Sequence, residues 1–363
     1  MTVKEIARLA GVSIGTVDRV LHGRGRVSAE TKARIEQIIK SSGFTPNPIA
    51  RGLKRSRPYT FAALLPNRLQ DSGYWGQGYG GLQSAADELA PLGIKTIIIE
   101  YDRYDPESFH EAVRQFSEIP CDGLLLPPIM PEDSRALVRS IQGKIPYIYY
   151  DADLPGTEPL CVIGQDAFRG GMLAGRLARL LSCGKTGTFG VLVAHQEDYH
   201  ILRRRDGFYE YAQQEGIRVF QQQGVDLEHP EAARELIKNL LDSHEDLLGV
   251  FVTSASAHRI AEASRELRKT NDFIIIGYDL VPENHRLLMD GHIDAIISQR
   301  PETQARRGLL NLYRAIVLGK AIPKREEIPL DLYLPENVPP LHGEHGRRST
   351  ARGACRTGGF SGP

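Results

Sequence analysis

Cysteine is scarce in this chain of 363 residues. Cys121, Cys161, Cys183 and Cys355 stand far apart with no Cys-x-x-Cys pair, which excludes a zinc ribbon and a disulfide framework and leaves free thiols, three of them expected to be buried. Long apolar runs are missing too. No stretch approaches the roughly 18 residues that a membrane helix needs, and the N-terminus opens on a capped polar helix rather than a basic and apolar leader. A cytoplasmic protein without a membrane span is therefore expected. Catalytic signatures are equally absent, with no P-loop, no G-x-S-x-G elbow and no H-E-x-x-H pair. Gly76-Gln77-Gly78-Tyr79-Gly80-Gly81 has glycines like those of a dinucleotide fingerprint, but it lies about ten residues past its strand, too far for a tight phosphate-cradling turn. The chain is read as a non-enzyme with no cofactor and no metal.

Net charge is lacking overall, yet it is not lacking locally. The 45 basic residues balance the 45 acidic ones. Residues 1 to 57, however, hold 12 Lys and Arg against 4 Asp and Glu, a net of +8, whereas residues 59 to 340 hold 29 against 40, a net of −11. A basic module on a neutral chain is an electrostatic footprint for phosphate. The length is too great for one ordinary core and fits a small module plus a larger two-lobed body.

The basic end reads as two short helices set at a fixed angle. Thr2 and Glu5 have capping-box spacing, and Ile6, Leu9 and Ala10 repeat at helical period. Gly11 makes the turn, Val12 fills the corner and Ser13 caps a second helix whose buried stripe is Val17, Val20 and Leu21. Ile14, Gly15, Thr16, Asp18 and Arg19 face outward at the end that enters the major groove in a helix-turn-helix. Ser28 caps a third helix returning Ile35, Ile38 and Ile39 to the core, and Gly43 stops it. Phe44 either closes that core or serves a partner. Arg24, Arg26 and Lys32 are candidate phosphate contacts, with ordinary solvated charge as the alternative. Asn47 and Pro48 then open a helix, Ile49 to Leu53, too short to stand alone. It is either linker or a segment that folds only against something.

The run VKEIARLAGVSIGTVDRVLHGRGRVSAETKARI followed by GFTPNPIARGLK resembles the DNA-binding headpiece of the lactose-repressor (LacI/GalR) family of bacterial transcription regulators, over the first 57 residues and more loosely to about residue 338. The resemblance implies DNA contacts from Thr2, Ser13, Ile14, Gly15, Thr16, Arg19 and Arg24. It further implies a hinge helix contributing Asn47, Ala50, Arg51, Leu53 and Lys54, with Leu53 as a minor-groove wedge. Gly52 departs from the family's better helix formers and should weaken that hinge by roughly 0.5 to 1 kcal/mol.

From Tyr59 onward short strands alternate with helices. YTFAALLP precedes a helix from about Gly78 to Leu92. KTIIIEY precedes Pro106 to Ser117, DGLLLPP precedes Glu132 to Ile141, and PYIYYD follows. LCVIGQD and a helix from Gly170 to Leu181 lead into a second round: GTFGVLVA, a helix Arg204 to Glu215, RVFQQQG, a helix Pro230 to Leu241, LLGVFVTS, a helix His258 to Arg268, and DFIIIGYD. A helix Pro301 to Leu318 and the return IPLDLYLPENV complete it. The expected fold class is an all-α helix-turn-helix headpiece plus α/β, with two doubly wound parallel-sheet lobes and a ligand crevice at the strand C-terminal ends. The expected divisions are a headpiece at 1–44, a hinge and linker at 45–58, and a bilobed domain at 59–340. Lobe 1 takes about 59–165 and 300–328, and lobe 2 about 166–299 and 329–340. A basic tail at 341–363, net +3, lacks apolar period and is expected to be disordered.

The body is similar to that family's effector domain, which has the fold of periplasmic sugar-binding proteins. Arg204, three before Gly207-Phe208, matches its ligand-gripping arginine, with a solvated Arg203-Arg204-Arg205 cluster as the other reading. Asp279 and Gln299 match its polar ligands, Asp279 having helix capping as its alternative. Ser254 replaces a frequent asparagine. Asn67, Tyr74 and Trp75 follow the first strand and Asp166 the fifth, and Trp75, the single tryptophan, could equally be plain core. His195, His200 and His258 lie near strand ends without a paired nucleophile and are read as lining or surface. Arg, Asp and Gln suit vicinal hydroxyls and an aromatic ring suits a sugar's C–H face. The expected partners are a palindromic operator duplex, a second copy of the chain, and a small-molecule effector such as a monosaccharide or polyol. Two rivals stand beside a repressor: a transport-type solute-binding protein, opposed by residues 1 to 57, and a sugar- or nucleoside-processing α/β enzyme fused to a DNA-binding module.

Overall fold

A computed structural model describes residues 1–21, 25–42, 57–194, 198–227, 229–267 and 273–340, and the chain divides into two units, Met1–Tyr59 and Thr60–Pro363. In the first unit α1 (Val3–Leu9), α2 (Ile14–Leu21) and α3 (Ala29–Ser42) form where the capping residues predict. The Glu5 amide donates to Thr2 Oγ1 at 3.2 Å and the Thr2 amide to Glu5 Oε2 at 2.7 Å. The Thr2 amide, and next the Thr2 hydroxyl, hold the Glu5 carboxyl below its usual range. Ser13 accepts from the Thr16 amide at 3.1 Å and Ser28 from the Thr31 amide at 3.3 Å, so each satisfies an orphan donor of its helix's first turn. Gly11 takes φ +64° between α1 and α2, a turn that costs an L side chain strain.

The core of this unit is Ile6, Ala7, Ala10, Val17 and Ile35, with Val12, Val20, Leu21, Ile38 and Ile39 packed around it. Leu9 departs from expectation, being 56% exposed. At about 100° per residue, Ile6, Ala7 and Ala10 centre the buried side of α1 roughly 100° away from Leu9, so the i, i+3 spacing alone put it on the wrong side. Gly43, Phe44 and the hinge residues Asn47, Ala50, Arg51, Leu53 and Lys54 lie outside the described residues, as do Arg24 and the tail at 341–363.

The second unit holds two six-stranded sheets of the same strand order. The first is built from β1 (Tyr59–Pro66), β2 (Ile94–Tyr101), β3 (Gly123–Leu126), β4 (Tyr147–Tyr150), β5 (Cys161–Gly164) and β11 (Arg325–Glu327), in the order β11-β5-β4-β3-β1-β2. The second takes β6 (Thr188–Val193), β7 (Arg218–Gln223), β8 (Leu247–Val252), β9 (Ile274–Tyr278), β10 (Ala295–Ser298) and β12 (Asp331–Tyr333), in the order β12-β10-β9-β8-β6-β7. Pairings such as β1–β3, β4–β5, β6–β8 and β9–β10 are parallel, while β12 runs antiparallel to β10. Parallel strands covered on both faces read as continuous apolar runs, and β1, β3, β4, β9 and β10 are buried along their whole lengths.

The helices of the first lobe are α4 (Tyr74–Leu89), α5 (Pro106–Ser117), α6 (Pro131–Ile141) and α12 (Pro301–Leu312). Those of the second are α7 (Ala167–Leu181), α8 (Tyr199–Glu215), α9 (Pro230–Ser243), α10 (Ala257–Leu267) and α11 (Pro282–Met289). Several begin before their apolar period does. α4 starts four residues ahead of Gly78 and α8 five ahead of Arg204, because their first turns carry polar and aromatic residues that face the cleft rather than the core. α12 gives way after Leu312 to a π turn, Tyr313–Val317, where one helix to Leu318 was expected, and the short α11 was not anticipated. The glycine run 76–81 lies inside α4, and a Cβ on Gly81 would sit 2.0 Å from the Glu302 carbonyl oxygen. Close approach of α4 to α12 therefore accounts for a glycine there.

The chain passes between the lobes beside Gln165, whose Nε2 donates to Ser298 O at 2.7 Å and to Pro329 O at 2.8 Å. One side chain thus ties together all three crossing segments. Of the cysteines, Cys161 is buried, Cys121 half-buried and Cys183 exposed, so the expectation of three buried thiols does not hold. Cys355 lies outside the described residues. None of the described helices is long and apolar enough to cross a membrane.

Candidate ligand cleft and DNA-reading face

Two aspartates occupy matching places in the two lobes. Asp151 follows β4 and Asp279 follows β9, the third strands in the two sheet orders. Each has a left-handed backbone, φ 71° and 60°, and each amide donates across to the neighbouring strand, Asp151 to Ile163 O at 3.0 Å and Asp279 to Ile297 O at 2.8 Å. A left-handed non-glycine costs energy and persists only when its surroundings impose it. Here the turn aims both carboxyls into one narrow cleft with about 30 Å³ of free space.

Six of the eight residues assigned to effector binding line that cleft: Tyr74, Trp75, Arg204, Ser254, Asp279 and Gln299. Arg204 is 1% exposed, which separates it from the solvated neighbours it was weighed against. Its guanidinium lies 3.6 Å from the centre of the Tyr278 ring and donates from Nη1 to Thr253 O at 2.7 Å. Gln299 donates to both oxygens of Asp279, its amide to Oδ1 at 3.3 Å and Nε2 to Oδ2 at 3.0 Å, so Asp279 is held from the next strand end and does not cap a helix. Trp75 Nε1 donates to Asp71 Oδ2 at 2.7 Å. The Tyr74 hydroxyl donates to Asp151 Oδ1, and the Tyr74 and Trp75 rings meet edge to face at 5.0 Å. Trp75 is therefore buried and still forms cleft wall.

Two assignments fall elsewhere. Asn67 is exposed, and its side-chain oxygen accepts from the Leu69 amide at 3.0 Å, closing its own turn. Asp166 caps α7 through the Arg169 amide at 3.1 Å and lines a separate chamber. The sequence reading passed over Asp71, Arg103, Asp151 and Asp198, which also line the cleft, as does His200, read there as lining or surface. Arg103 pairs with Asp71 of its own lobe and, through Nη2 at 2.7 Å, with Asp198 at the start of α8 in the other. Asp151 was legible in PYIYYD as the counterpart of Asp279 in IIIGYD. Asp198 and His200 lie at a helix start that the apolar period misplaced. His200 lies 3.7 Å from Asp151. His258 is buried and bonded to Asn284 instead, and His195 lies outside the described residues.

Burial pushes both strand-end carboxyls up to about 6. Asp151 is pulled back by the Tyr74 hydroxyl and by Arg204, and Asp279 by Arg204 and Gln299. Burial and the Asp151 charge hold the Tyr74 hydroxyl well above its ordinary range, so it serves as a donor. Three buried polar atoms of the cleft wall make no hydrogen bond within the protein: Asp151 Oδ2, Arg204 Nε and Ser254 Oγ. Buried polar atoms are ordinarily paired, and this mix of acceptor, donor and hydroxyl matches a ligand rich in hydroxyl groups. Four carboxyls against two guanidiniums also disfavour an anionic ligand.

In the first unit Thr2, Ser13 and Thr16 are engaged in capping, with Ser13 Oγ and Thr16 Oγ1 3.0 Å apart. Ile14 is 49% exposed at the start of α2, and Gly15 and Arg19 are exposed beside it. Arg19, Arg26 and Lys32 line one basic concavity. An exposed isoleucine at the N-terminal end of the second helix, next to a row of cations, is the arrangement a major-groove reader needs.

A family model described as bacterial regulatory proteins, lacI family, matches residues 2–47, and one described as a periplasmic binding protein domain matches residues 62–321. The chain joins a lacI-family headpiece to a body that belongs to the periplasmic binding protein domain family. Among lacI-type relatives, the HTH-type transcriptional regulator DegA of Bacillus subtilis is 25% identical over 283 residues, 77% of this chain and 81% of that protein. AscG of Escherichia coli, also an HTH-type transcriptional regulator, is 32% identical over 127 residues, and the match spans 35% of this chain and 37% of AscG. Catabolite control protein A of Staphylococcus aureus is 30% identical over 149 residues, spanning 41% and 43% of the two chains. A solved Bacteroides fragilis structure described as a LacI transcriptional regulator superposes with TM-score 0.70 at 26% identity, covering 77% of this chain and 98% of that one. GanP, a glucose-galactose binding protein from Geobacillus stearothermophilus, shares the fold at TM-score 0.70 and 22% identity, over 78% of this chain and all of its own.

Proposed function

We propose that this lacI-type chain is a transcription regulator, a repressor, that binds a palindromic operator as a symmetric homodimer in the cytoplasm and releases or tightens on it when a neutral polyhydroxylated effector of the sugar class enters the cleft. The observation that carries the reading is one chain holding both a basic reading face and a narrow cleft lined by Arg204 and two strand-end aspartates. Regulatory relatives support the first half, and a sugar-binding neighbour of the same fold supports the second. Effector closure shifts the lobes, and the hinge expected at Asn47 to Lys54 converts that shift into formation or loss of a paired helix, a population shift in a two-state element. In this reading Tyr74, Trp75, Arg204, Ser254, Asp279 and Gln299 hold the effector, joined by Asp71, Asp151 and His200. Ile14, Gly15, Thr16 and Arg19 face the bases and nearby phosphates.

The test is to select duplexes from a random library with the full chain and to measure binding with and without a panel of sugars. A selected site with two-fold symmetry, whose affinity changes with one sugar, supports the proposal. Sequence-blind binding contradicts it, as does turnover of any sugar in the panel. Leu53→Ala is expected to reduce operator bending while leaving sugar affinity unchanged.

A further inference from the structure

The narrow cleft has a neighbour. A second, larger chamber of about 230 Å³ lies on the side of the crossing segments and shares Asp151 and His200 with the cleft as common wall. Taken alone, the inner cleft leaves much less free space than the chamber. The outer chamber is also built as a site. Gln165 forms part of its wall at 7% exposure. Its Nε2 is committed to two crossing-segment carbonyls, which fixes the amide's orientation and leaves Oε1 buried with no hydrogen bond in the protein. Asp151 is similarly divided, with Oδ1 engaged by Tyr74 and Oδ2 making no hydrogen bond at the shared wall. Two acceptors therefore stand in line, one at the boundary and one beyond it. Two aromatic rings line the same chamber, Phe168 on the first turn of α7, with the Arg203 guanidinium 4.6 Å from its ring centre, and Tyr199, 42% exposed, at the start of α8. The chamber's charged walls hold cations as well as anions, with Arg325 paired to Asp153 at 3.3 Å, so neither sign of ligand charge is favoured.

We infer that cleft and chamber are two halves of one site, and that the effector is a disaccharide whose first ring fills the cleft and whose second ring donates a hydroxyl to Gln165 and lies against Tyr199. This inference rests on the sugar reading above and narrows it. An acceptor-lined chamber flanked by aromatic faces suits a pyranose, with O–H groups for the amide oxygen and C–H groups for the rings.

The experiment is calorimetric titration of the full chain with D-glucose, D-galactose and D-xylose, and with cellobiose, lactose and xylobiose, which carry the same rings at their non-reducing ends. At least one disaccharide is expected to bind tenfold or more tightly than its monosaccharide. Tyr199→Ala should remove that advantage without changing the monosaccharide's affinity, and Tyr199→Trp should retain it. A monosaccharide that binds while its disaccharide binds no better overturns the inference and leaves the sugar reading standing. A disaccharide advantage that survives both Tyr199→Ala and Phe168→Ala also overturns it, since the second ring then lies elsewhere. If no sugar of either size binds, the sugar reading fails and the inference goes with it.

Discussion

Asp151 and Asp279 are the same residue at the same place in two copies of one architecture, yet their surroundings differ. Asp279 in the second lobe accepts from Gln299 through both oxygens. Asp151 in the first lobe shares one oxygen with Tyr74 and leaves the other without a hydrogen bond. The second lobe therefore carries a preset grip of Arg204, Asp279 and Gln299 whose geometry the protein fixes before any ligand arrives. On the proposed reading the first lobe brings aromatic faces and a carboxyl whose second oxygen, 3.7 Å from His200, is left for the ligand. Lobes related by fold can thus divide the work of binding, one holding its groups ready and the other completing the contact.

The sharpest way to break this contrast is at Arg204. Arg204→Met is expected to lower effector affinity at least about 100-fold, because it removes a ligand donor and also leaves Asp279 buried beside no cation, a loss of roughly 3 kcal/mol or more of stability. Calorimetry and thermal unfolding read the two effects separately, and operator binding in the absence of effector should be unchanged. Comparing Asp279→Asn with Asp151→Asn comes next. The first should lose stability by about 1 to 3 kcal/mol along with affinity, since the new amide turns a donor toward Gln299. The second should lose about tenfold in affinity with little change in unfolding temperature. Equal thermal losses in the two variants would erase the distinction.

A change of pH acts on both sites at once. Carboxyls held at about 6 in the folded body titrate near 4 once unfolded. Each folded value is the raised one, so each carboxyl contributes stability that is complete below the unfolded value and lost as pH climbs through 6. The effector-free body should therefore gain stability from these two groups between pH 7 and 5. An effector that donates hydroxyls to the ionised forms should bind more weakly over the same interval, by about tenfold for each carboxyl it engages. Proton release on binding at pH 6, measured by calorimetry in buffers of different ionisation enthalpy, checks the sign.

The smallest effect on the cleft belongs to the headpiece. Arg19→Ala should leave sugar binding untouched while weakening operator binding and reducing the magnitude of its salt slope by about 1.

How far the sequence reveals all this follows from where its signals come from. The alternating pattern is plain because parallel strands buried on both faces are apolar throughout, and YTFAALLP and IIIGY stand out for that reason. Arg204, Asp279 and Gln299 could be found because each is attached to a strong local pattern: a Gly-Phe pair, the end of β9 and the end of β10. Asp71, Arg103 and Asp198 could not, since what unites them is an ion pair bridging segments far apart in sequence. The helix starts were misplaced for a related reason. Tyr74, Trp75 and His200 lie on first turns that face a cleft, so their polarity breaks the apolar period that marks a helix against a core. Asn67 was chosen for its nearness to β1, but a three-residue turn beyond it delivers Asp71 instead.

The central claim is that the cleft and the reading face are coupled, and one measurement addresses it directly. The full chain is titrated by fluorescence anisotropy against its selected duplex and a scrambled duplex at two salt concentrations, with and without a sugar shown to bind. The account predicts a salt-sensitive preference for the selected duplex that shifts tenfold or more at saturating sugar, and no shift in Arg204→Met. A preference that stays the same while the sugar demonstrably occupies the cleft would contradict it.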